Sequence, residues 1–267
     1  CITHGNGPQV GAEMSRNEIS MSKIPPLPLN VLVANTQGAM GYMIQQSLQN
    51  VLYSINSNRE VVSLISQMKI NIKDPAINKP SKFIGKSFSK EKAEDLSRRY
   101  KWEIAEQEQD IWRRVVPSPE PLYIFNGKSI KYLVDYGTIV IAGGGGGIPS
   151  YNTEKGSLRG LDGVVDKDKT AALVGRIIRA KEYFIITDVD NIFLNYKKSN
   201  QKKISKITVS EIKKYLEQGH FGIGSMEPKI KSALYFLKYH GDKVVITSIN
   251  NIKSAIEGNT GTQIIND

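Results

Sequence analysis

Apolar residues fall along this chain in two rhythms. Short unbroken runs occur at Val61-Val62-Ser63-Leu64-Ile65, Thr138-Ile139-Val140-Ile141-Ala142, Tyr183-Phe184-Ile185-Ile186 and Val244-Val245-Ile246-Thr247. Runs of that length without polar alternation predict strands buried on both faces, as in parallel sheets. Elsewhere the apolar positions recur at helical spacing: Ile44, Leu48 and Leu52; Ala171, Val174, Ile177 and Ile178; Ile212, Tyr215 and Leu216; Ile230, Ala233, Leu234 and Leu237. The first of these helices is expected to open at Asn35-Thr36-Gln37, after a stiff Pro25-Pro26-Leu27-Pro28 loop. Thr208-Val209-Ser210-Glu211 has the form of a capping box, and Ser225 is the expected N-cap of the last helix. Strand, loop and helix in repeated alternation predict a mainly parallel sheet with helices on both faces.

The rhythm breaks over residues 73–121. Asn78-Lys79-Pro80-Ser81-Lys82 and Ser89-Lys90-Glu91-Lys92-Ala93-Glu94 are charged and discontinuous. This stretch reads as an insertion, a small lid over the sheet edge, with a weak helix start at Ser89. Its end, Trp112-Arg113-Arg114-Val115-Val116-Pro117-Ser118-Pro119, sets two arginines beside buried-looking valines. They are read either as a clamp on a ligand or on the subdomain base, or as a solvated pair.

Composition narrows the classes. In 267 residues, 40% hydrophobic and 23% charged, there is apolar content for a proper core. The single cysteine, Cys1, excludes a disulfide framework and fits a reducing, cytoplasmic compartment. No apolar run reaches the ~18 residues of a membrane span. Net charge is +10, which raises the question of nucleic acid. The lysines are scattered, however, and the densest pairs, Lys197-Lys198 and Lys202-Lys203, are not interleaved with stacking aromatics. No nucleic-acid or membrane partner is expected; a basic surface that steers small anions, or simply a solvated one, fits better.

Candidate chemistry gathers after the strands. Gly143-Gly144-Gly145-Gly146-Gly147 follows the run ending at Ala142. Glycine permits positive φ and close approach to bare N–H groups, and successive N–H groups make an anion-binding hollow; the other reading is a flexible surface loop. The sequence matches neither GxxxxGK[ST] nor GxGxxG in its proper context, so a P-loop enzyme is excluded. His4-Gly5-Asn6-Gly7-Pro8 is a second glycine turn, with His4 either a base or a structural histidine. In Asp166-Lys167-Asp168 a lysine between two carboxylates can stabilise charge on a transferred phosphoryl group; otherwise it is an exposed lysine beside a capping aspartate. Thr187-Asp188-Val189-Asp190 ends another strand in acids, and Asn191 to Tyr196 is expected to form a short hairpin or arm. Lys229 stands in the first turn of the last helix behind Gly222-Ile223-Gly224-Ser225. A cation there opposes the helix dipole unless an anion binds at that end.

His4 to Gly11, Thr36-Gln37-Gly38, the Trp112–Pro119 run, Gly143 to Pro149, Val165 to Asp168, Thr187 to Asp190 and Gly219 to Lys229 together, in this order, resemble the carbamate kinases of the amino acid kinase superfamily. Each motif alone is weak; the ordered set covers essentially the whole chain. The resemblance implies a three-layer αβα sandwich on an open, mainly parallel sheet of about eight strands with a protruding lid. It implies phosphoryl transfer between ATP and carbamate, usually run as ADP plus carbamoyl phosphate at the end of arginine fermentation, with Mg²⁺ on the nucleotide, in a cytoplasmic homodimer. Catalytic roles fall on Lys82, Lys167, Asp168 and Lys229. Carbamate and phosphate binding falls on Gly5, Asn6, Gly7, Gly143, Gly144, Gly145 and Gly146. Nucleotide binding falls on Thr187, Asp188, Val189, Asp190, Tyr196, Met226 and Pro228; no metal ligands are assigned. Residues 1–72 and 122–180 then form the carbamate half, 73–121 the lid and 181–267 the nucleotide half. Lys82 is expected to lie apart from the other site residues until the lid closes. The family's opening strand and Gly-Gly-Asn-Ala loop have no counterpart here, so an upstream segment is expected. Gln109-Asp110-Ile111 and Lys82-Phe83-Ile84-Gly85 depart from the family's Gly-Arg-Gly and Lys-Pro-Ile-Gly. The rival readings are another small-molecule kinase of the superfamily and an inactive nucleotide-binding regulator.

Overall fold

The computed structural model describes residues 1–222 and 225–267; in the predicted Gly222-Ile223-Gly224-Ser225 loop, Ile223 and Gly224 lie outside them. The chain divides into two compact units, Cys1–Thr170 and Ala171–Asp267.

The first unit runs α1 (Gly7–Ser20), α2 (Leu29–Ser54), β1 (Val61–Ser63), β2 (Gln67–Lys69), β3 (Lys82–Phe88), α3 (Lys90–Tyr100), β4 (Ile104–Glu108), β5 (Ile111–Val116), β6 (Tyr123–Ile124), α4 (Gly127–Asp135), β7 (Ile139–Ile141), β8 (Ile148–Asn152) and β9 (Leu158–Gly160). Helix α5 (Lys167–Ile177) begins at its end. The apolar runs at 61–65 and 138–142 do pair in parallel, as β1 with β7, and Ile2 bridges Ile141 in parallel on β7. Strands β6-β2-β8-β9 form a second sheet, in which β2 and β8 are parallel.

Helix α2 starts six residues earlier than its polar motif suggested. Pro28, at φ −67° and ψ 155°, is the N-cap, and its fixed φ suits a helix entrance. Leu29, Leu32 and Val33, spaced i, i+3, i+4, are buried in one cluster with Val10, Met14, Ile84, Val116 and Ile148. Gly41 of this helix packs closely: a Cβ there would lie 1.9 Å from Ser63 Oγ. Gly38 has room, with its nearest neighbour at 3.9 Å.

Within residues 73–121, β3, β5 and β4 form an antiparallel sheet in that order. Ser89 does cap α3, accepting from the Lys92 N–H at 3.4 Å. Ala93 and Leu96 are the buried positions of that helix.

The second unit contains β10 (Glu182–Thr187), β11 (Ile192–Leu194), β12 (Lys202–Ile204), β13 (Lys206–Thr208), α6 (Val209–Glu217), α7 (Met226–Leu237), β14 (Lys243–Ser248), α8 (Ile252–Ile256) and β15 (Thr262–Ile265). Its sheet order is β10-β14-β15-β13. β10 and β14 run parallel, from Glu182↔Lys243 to Thr187↔Ser248. β11 and β12 pair as an antiparallel hairpin, so Asn191 to Tyr196 is one arm of a longer hairpin rather than a short hairpin by itself. Ile230, Ala233, Phe236 and Leu237 of α7 enter a core with Ile185, Val244, Ile246 and Ile264; each large side chain so buried stabilises by about 1.5–3 kcal/mol. The capping box at Thr208 and Glu211 is complete. Ser225, by contrast, makes no side-chain cap on α7; its hydroxyl donates to the Gly222 carbonyl at 3.2 Å. Among the described residues no helix is long and apolar enough to cross a membrane.

Candidate active site

In the first unit the charged candidates meet at the start of α5. Asp166 is the N-cap: its Oδ1 accepts the Asp168 N–H at 2.9 Å and the Lys169 N–H at 3.4 Å, and its carbonyl accepts the Thr170 N–H at 3.0 Å. Capping of this kind stabilises by about 1 kcal/mol. Lys167 and Asp168 are therefore the first helical residues, with the Lys167 Nζ 3.4 Å from Asp168 Oδ1. The lysine stem runs against Gly5, where a Cβ would lie 3.2 Å from Lys167 Cδ.

The second oxygen of Asp166 belongs to Lys82, not to Lys167. Lys82 Nζ lies 3.0 Å from Asp166 Oδ2. This corrects the expectation that Lys82 stands apart in the insertion. The cause is backbone pairing through the Trp-Arg-Arg-Val-Val-Pro run. Lys82 opposes Val116 in the β3–β5 ladder, and the next carbonyl, that of Pro117, accepts the Val164 N–H at 3.0 Å. Arg114 adds an ion pair to Asp162 at 2.6 Å and lies 5.0 Å over the Trp102 ring. Arg113 donates to the Gly85 carbonyl at 2.7 Å. The two arginines thus fasten the base of the insertion rather than standing in solvent. Burial alone pushes the Asp166 carboxyl up. The Lys82 charge, its hydrogen bond and the two backbone donors outweigh that, so its pKa lies below the usual value.

The glycine loop is compact and mostly buried, not a flexible linker. Gly143, Gly145, Gly146 and Gly147 have φ of 66°, 63°, 92° and 82°, a region other residues enter only with strain. A Cβ on Gly144 would meet the His4 ring at 2.3 Å, one on Gly145 the Asn6 amide at 2.1 Å, and one on Gly146 the Val165 carbonyl at 2.0 Å. Much of the glycine requirement therefore comes from protein packed against the loop. The expected hollow of free N–H groups is largely filled as well. Gly143 donates to Ser66 Oγ at 3.0 Å, and Gly145, Gly146 and Gly147 donate to the carbonyls of His4, Gly143 and Gly144. His4 itself makes a local contact, Nδ1 to the Gly5 carbonyl at 2.9 Å.

Thr36 and Gln37 of α2 hold these two loops. Asn6 Nδ2 donates to Thr36 Oγ1 at 2.9 Å. Gln37 accepts the Ser66 N–H at 2.8 Å, and Ser66 in turn receives Gly143. Ser66 is fully buried, and nothing in the sequence marked it.

The second unit has a cleft of about 170 Å³. Of the residues expected to bind nucleotide, Thr187, Asp188, Val189, Tyr196 and Met226 line it, and so does Lys229. Asp190 and Pro228 are not among its lining. Asp190 is instead held by Ser248, then Asn251, and these hydrogen bonds keep its pKa low. Asn191, Phe193, His220 and Phe221 also line it, with Gly222 and Ser225. Phe193 was legible in principle: Ile192 and Leu194 are buried, and the pleat turns the residue between them to the other face. Phe193 and Tyr196 stack obliquely, centroids 5.9 Å apart and planes at 31°. Lys229 Nζ reaches back over the first turn of α7 to the Ser225 carbonyl at 3.1 Å. Among the described residues no group of three or more His, Cys, Asp or Glu gathers as a metal site.

The alternation of parallel strands and helices, with ligand-type groups after the strands, defines an α/β scaffold, and the family model for the amino acid kinase family matches residues 1–248. The chain belongs to that family, and its full-length relatives place it among the carbamate kinases. It is 40% identical over 268 residues to the carbamate kinase of Thermococcus kodakarensis, covering 100% of this chain and 85% of the relative. It is also 40% identical over 266 residues to that of Staphylococcus epidermidis, covering 98% and 86%. The solved carbamate kinase of Giardia lamblia bound to AMP-PNP superposes with a TM-score of 0.91 at 38% identity, over 99% of this chain and 84% of that one.

Proposed function

We propose that the protein catalyses reversible phosphoryl transfer between ATP and carbamate, working as ADP plus carbamoyl phosphate to ATP at the end of arginine fermentation. The observation that carries this reading is the pairing of Lys82 with Asp166 and of Lys167 with Asp168 at one helix start, in a chain 40% identical to carbamate kinases. A β-phosphate oxygen of ADP attacks the phosphorus of carbamoyl phosphate, the bond from phosphorus to the carbamate oxygen breaks, and carbamate leaves. Little covalent help is needed; positioning and positive charge around the transferred oxygens are. Lys167 and Lys82 supply that charge in the first unit, with Asp168 orienting Lys167. Asn6 and the turns at Gly5–Gly7 and Gly143–Gly146 shape the carbamate end. In the second unit the aromatic cleft takes adenine and Lys229 faces nucleotide phosphate. Mg²⁺ arrives on the nucleotide as part of the substrate.

The reading includes a cytoplasmic homodimer. Helix α2 carries no charged residue in its 26, yet Tyr42, Met43, Val51 and Tyr53 are exposed on it. In a chain of net charge +10, such a face lets two copies meet without like-charge repulsion. ATP formation from carbamoyl phosphate and ADP tests the function. Turnover with another carboxylate or phosphomonoester instead, or nucleotide binding without turnover, would replace it.

A further inference from the structure

We propose that Asp166 is a positioning residue that holds Lys82 at the head of α5, beside Lys167, and so joins the residue 82–116 sheet to the helix that carries the reacting charges. This rests on reading Lys82 as a lysine that meets the transferred phosphoryl group.

The carboxylate is shared between two tasks. Oδ1 caps α5 through the Asp168 and Lys169 N–H groups, while Oδ2 takes Lys82 at 3.0 Å. The Asp166 side chain is 15% exposed and that of Lys82 47%, so one partner is fixed by the fold and the other is a long, half-solvated chain. Left alone, such a lysine spreads over many rotamers, and ordering it carries an entropic cost. The ion pair confines it before substrate arrives. A phosphoryl group, with more charge and more acceptor oxygens than one carboxylate, then draws Lys82 from Asp166 over a short path. Asp166 need not touch substrate for this, and its cap keeps Lys167 and Asp168 in place throughout.

Asp166→Asn separates the two tasks, because asparagine caps as well as aspartate but leaves Lys82 without an ionic partner. The variant is expected to stay folded, melting slightly below the wild type at neutral pH because a half-exposed ion pair is lost, and to keep its KM for ADP. Its kcat is expected to fall by up to about a hundredfold, the scale on which a misplaced reacting group lowers rate. Adding Asp166→Asn to Lys82→Ala is expected to cause no further loss, since both act through one lysine. Amine acylation, read residue by residue by mass spectrometry, is expected to label Lys82 faster in Asp166→Asn than in the wild type, with exposed Lys79 as the internal reference. Unchanged Lys82 labelling, or a loss in the double variant equal to the product of the single losses, would overturn the inference. The labelling needs no turnover, so it decides the pairing even if the wild type fails to make ATP, which would count against the proposed function instead.

Discussion

In the first unit, Lys82, Asp166, Lys167 and Asp168 converge on one helix start, each in an ion pair. In the second, the cleft walls are mostly aromatic and apolar, Phe193, Tyr196, Phe221 and Met226 with Val189, edged by Asp188 and Lys229. The first is preorganised charge, suited to a group whose charge shifts in the reaction. The second is an apolar-walled cleft with Lys229 among its lining, which under the proposed function takes the adenine, a group whose bonds do not change. A lesion in the first should therefore appear in turnover, and a lesion in the second in affinity.

The largest break is expected from Lys167→Ala. Removing one preorganised charge costs roughly 3–4 kcal/mol of transition-state stabilisation, on the order of 10²–10³ in kcat. The fold and ADP affinity should persist, as followed by steady-state assay and titration calorimetry. Turnover within about threefold of the wild type, far below that range, would remove Lys167 from the chemistry. Next is Gly146→Ala, which puts a Cβ 2.0 Å from the Val165 carbonyl at φ 92°. Strain and overpacking together should cost about 3 kcal/mol in thermal or denaturant unfolding. A smaller effect is expected from Phe193→Ala: about 1–2 kcal/mol of ADP affinity lost with the stacking face, kcat at saturating ADP nearly unchanged. A loss of kcat alone would contradict the division between the units.

The smallest concerns pH. The folded pKa of Asp166 is lowered, so its contribution to stability is fully present above the ordinary aspartate value of about 3.9. It is lost as pH falls through the lower folded value, while Lys82 stays charged. Wild-type Tm should drop more steeply than that of Asp166→Asn as pH falls below about 4; parallel curves would contradict this.

What the sequence disclosed follows from how local each signal is. The runs that become β1, β7, β10 and β14, the Thr208 capping box and the core face of α7 rest on neighbours in the chain, and all were legible as such. The start of α2 was not, because Asn35-Thr36-Gln37 drew attention from the apolar triplet at Leu29, Leu32 and Val33. Lys82 was recognisable as a residue but not as the partner of Asp166, 84 positions away. No periodicity encodes that meeting; it arises from the β3–β5 register and one carbonyl at Pro117. The glycines were legible as glycines, but their reason lay in His4, Asn6 and Val165 packed against them. Asp190 and Asp188 look equivalent in Thr187-Asp188-Val189-Asp190, yet Asp188 lines the cleft while Asp190 is drawn to Ser248 and Asn251.

The contrast between the units is tested most directly by titrating ADP calorimetrically into wild type, Lys82→Ala and Lys229→Ala. Lys229 lines the cleft, so its loss should weaken ADP binding by roughly 1.5–3 kcal/mol, on the order of tenfold or more, as for a hydrogen bond to a charged group. Lys82 belongs to the charge cluster of the first unit, so its loss should leave ADP affinity nearly unchanged while kcat falls. Equal weakening in both variants, or unchanged affinity in Lys229→Ala, would contradict the account.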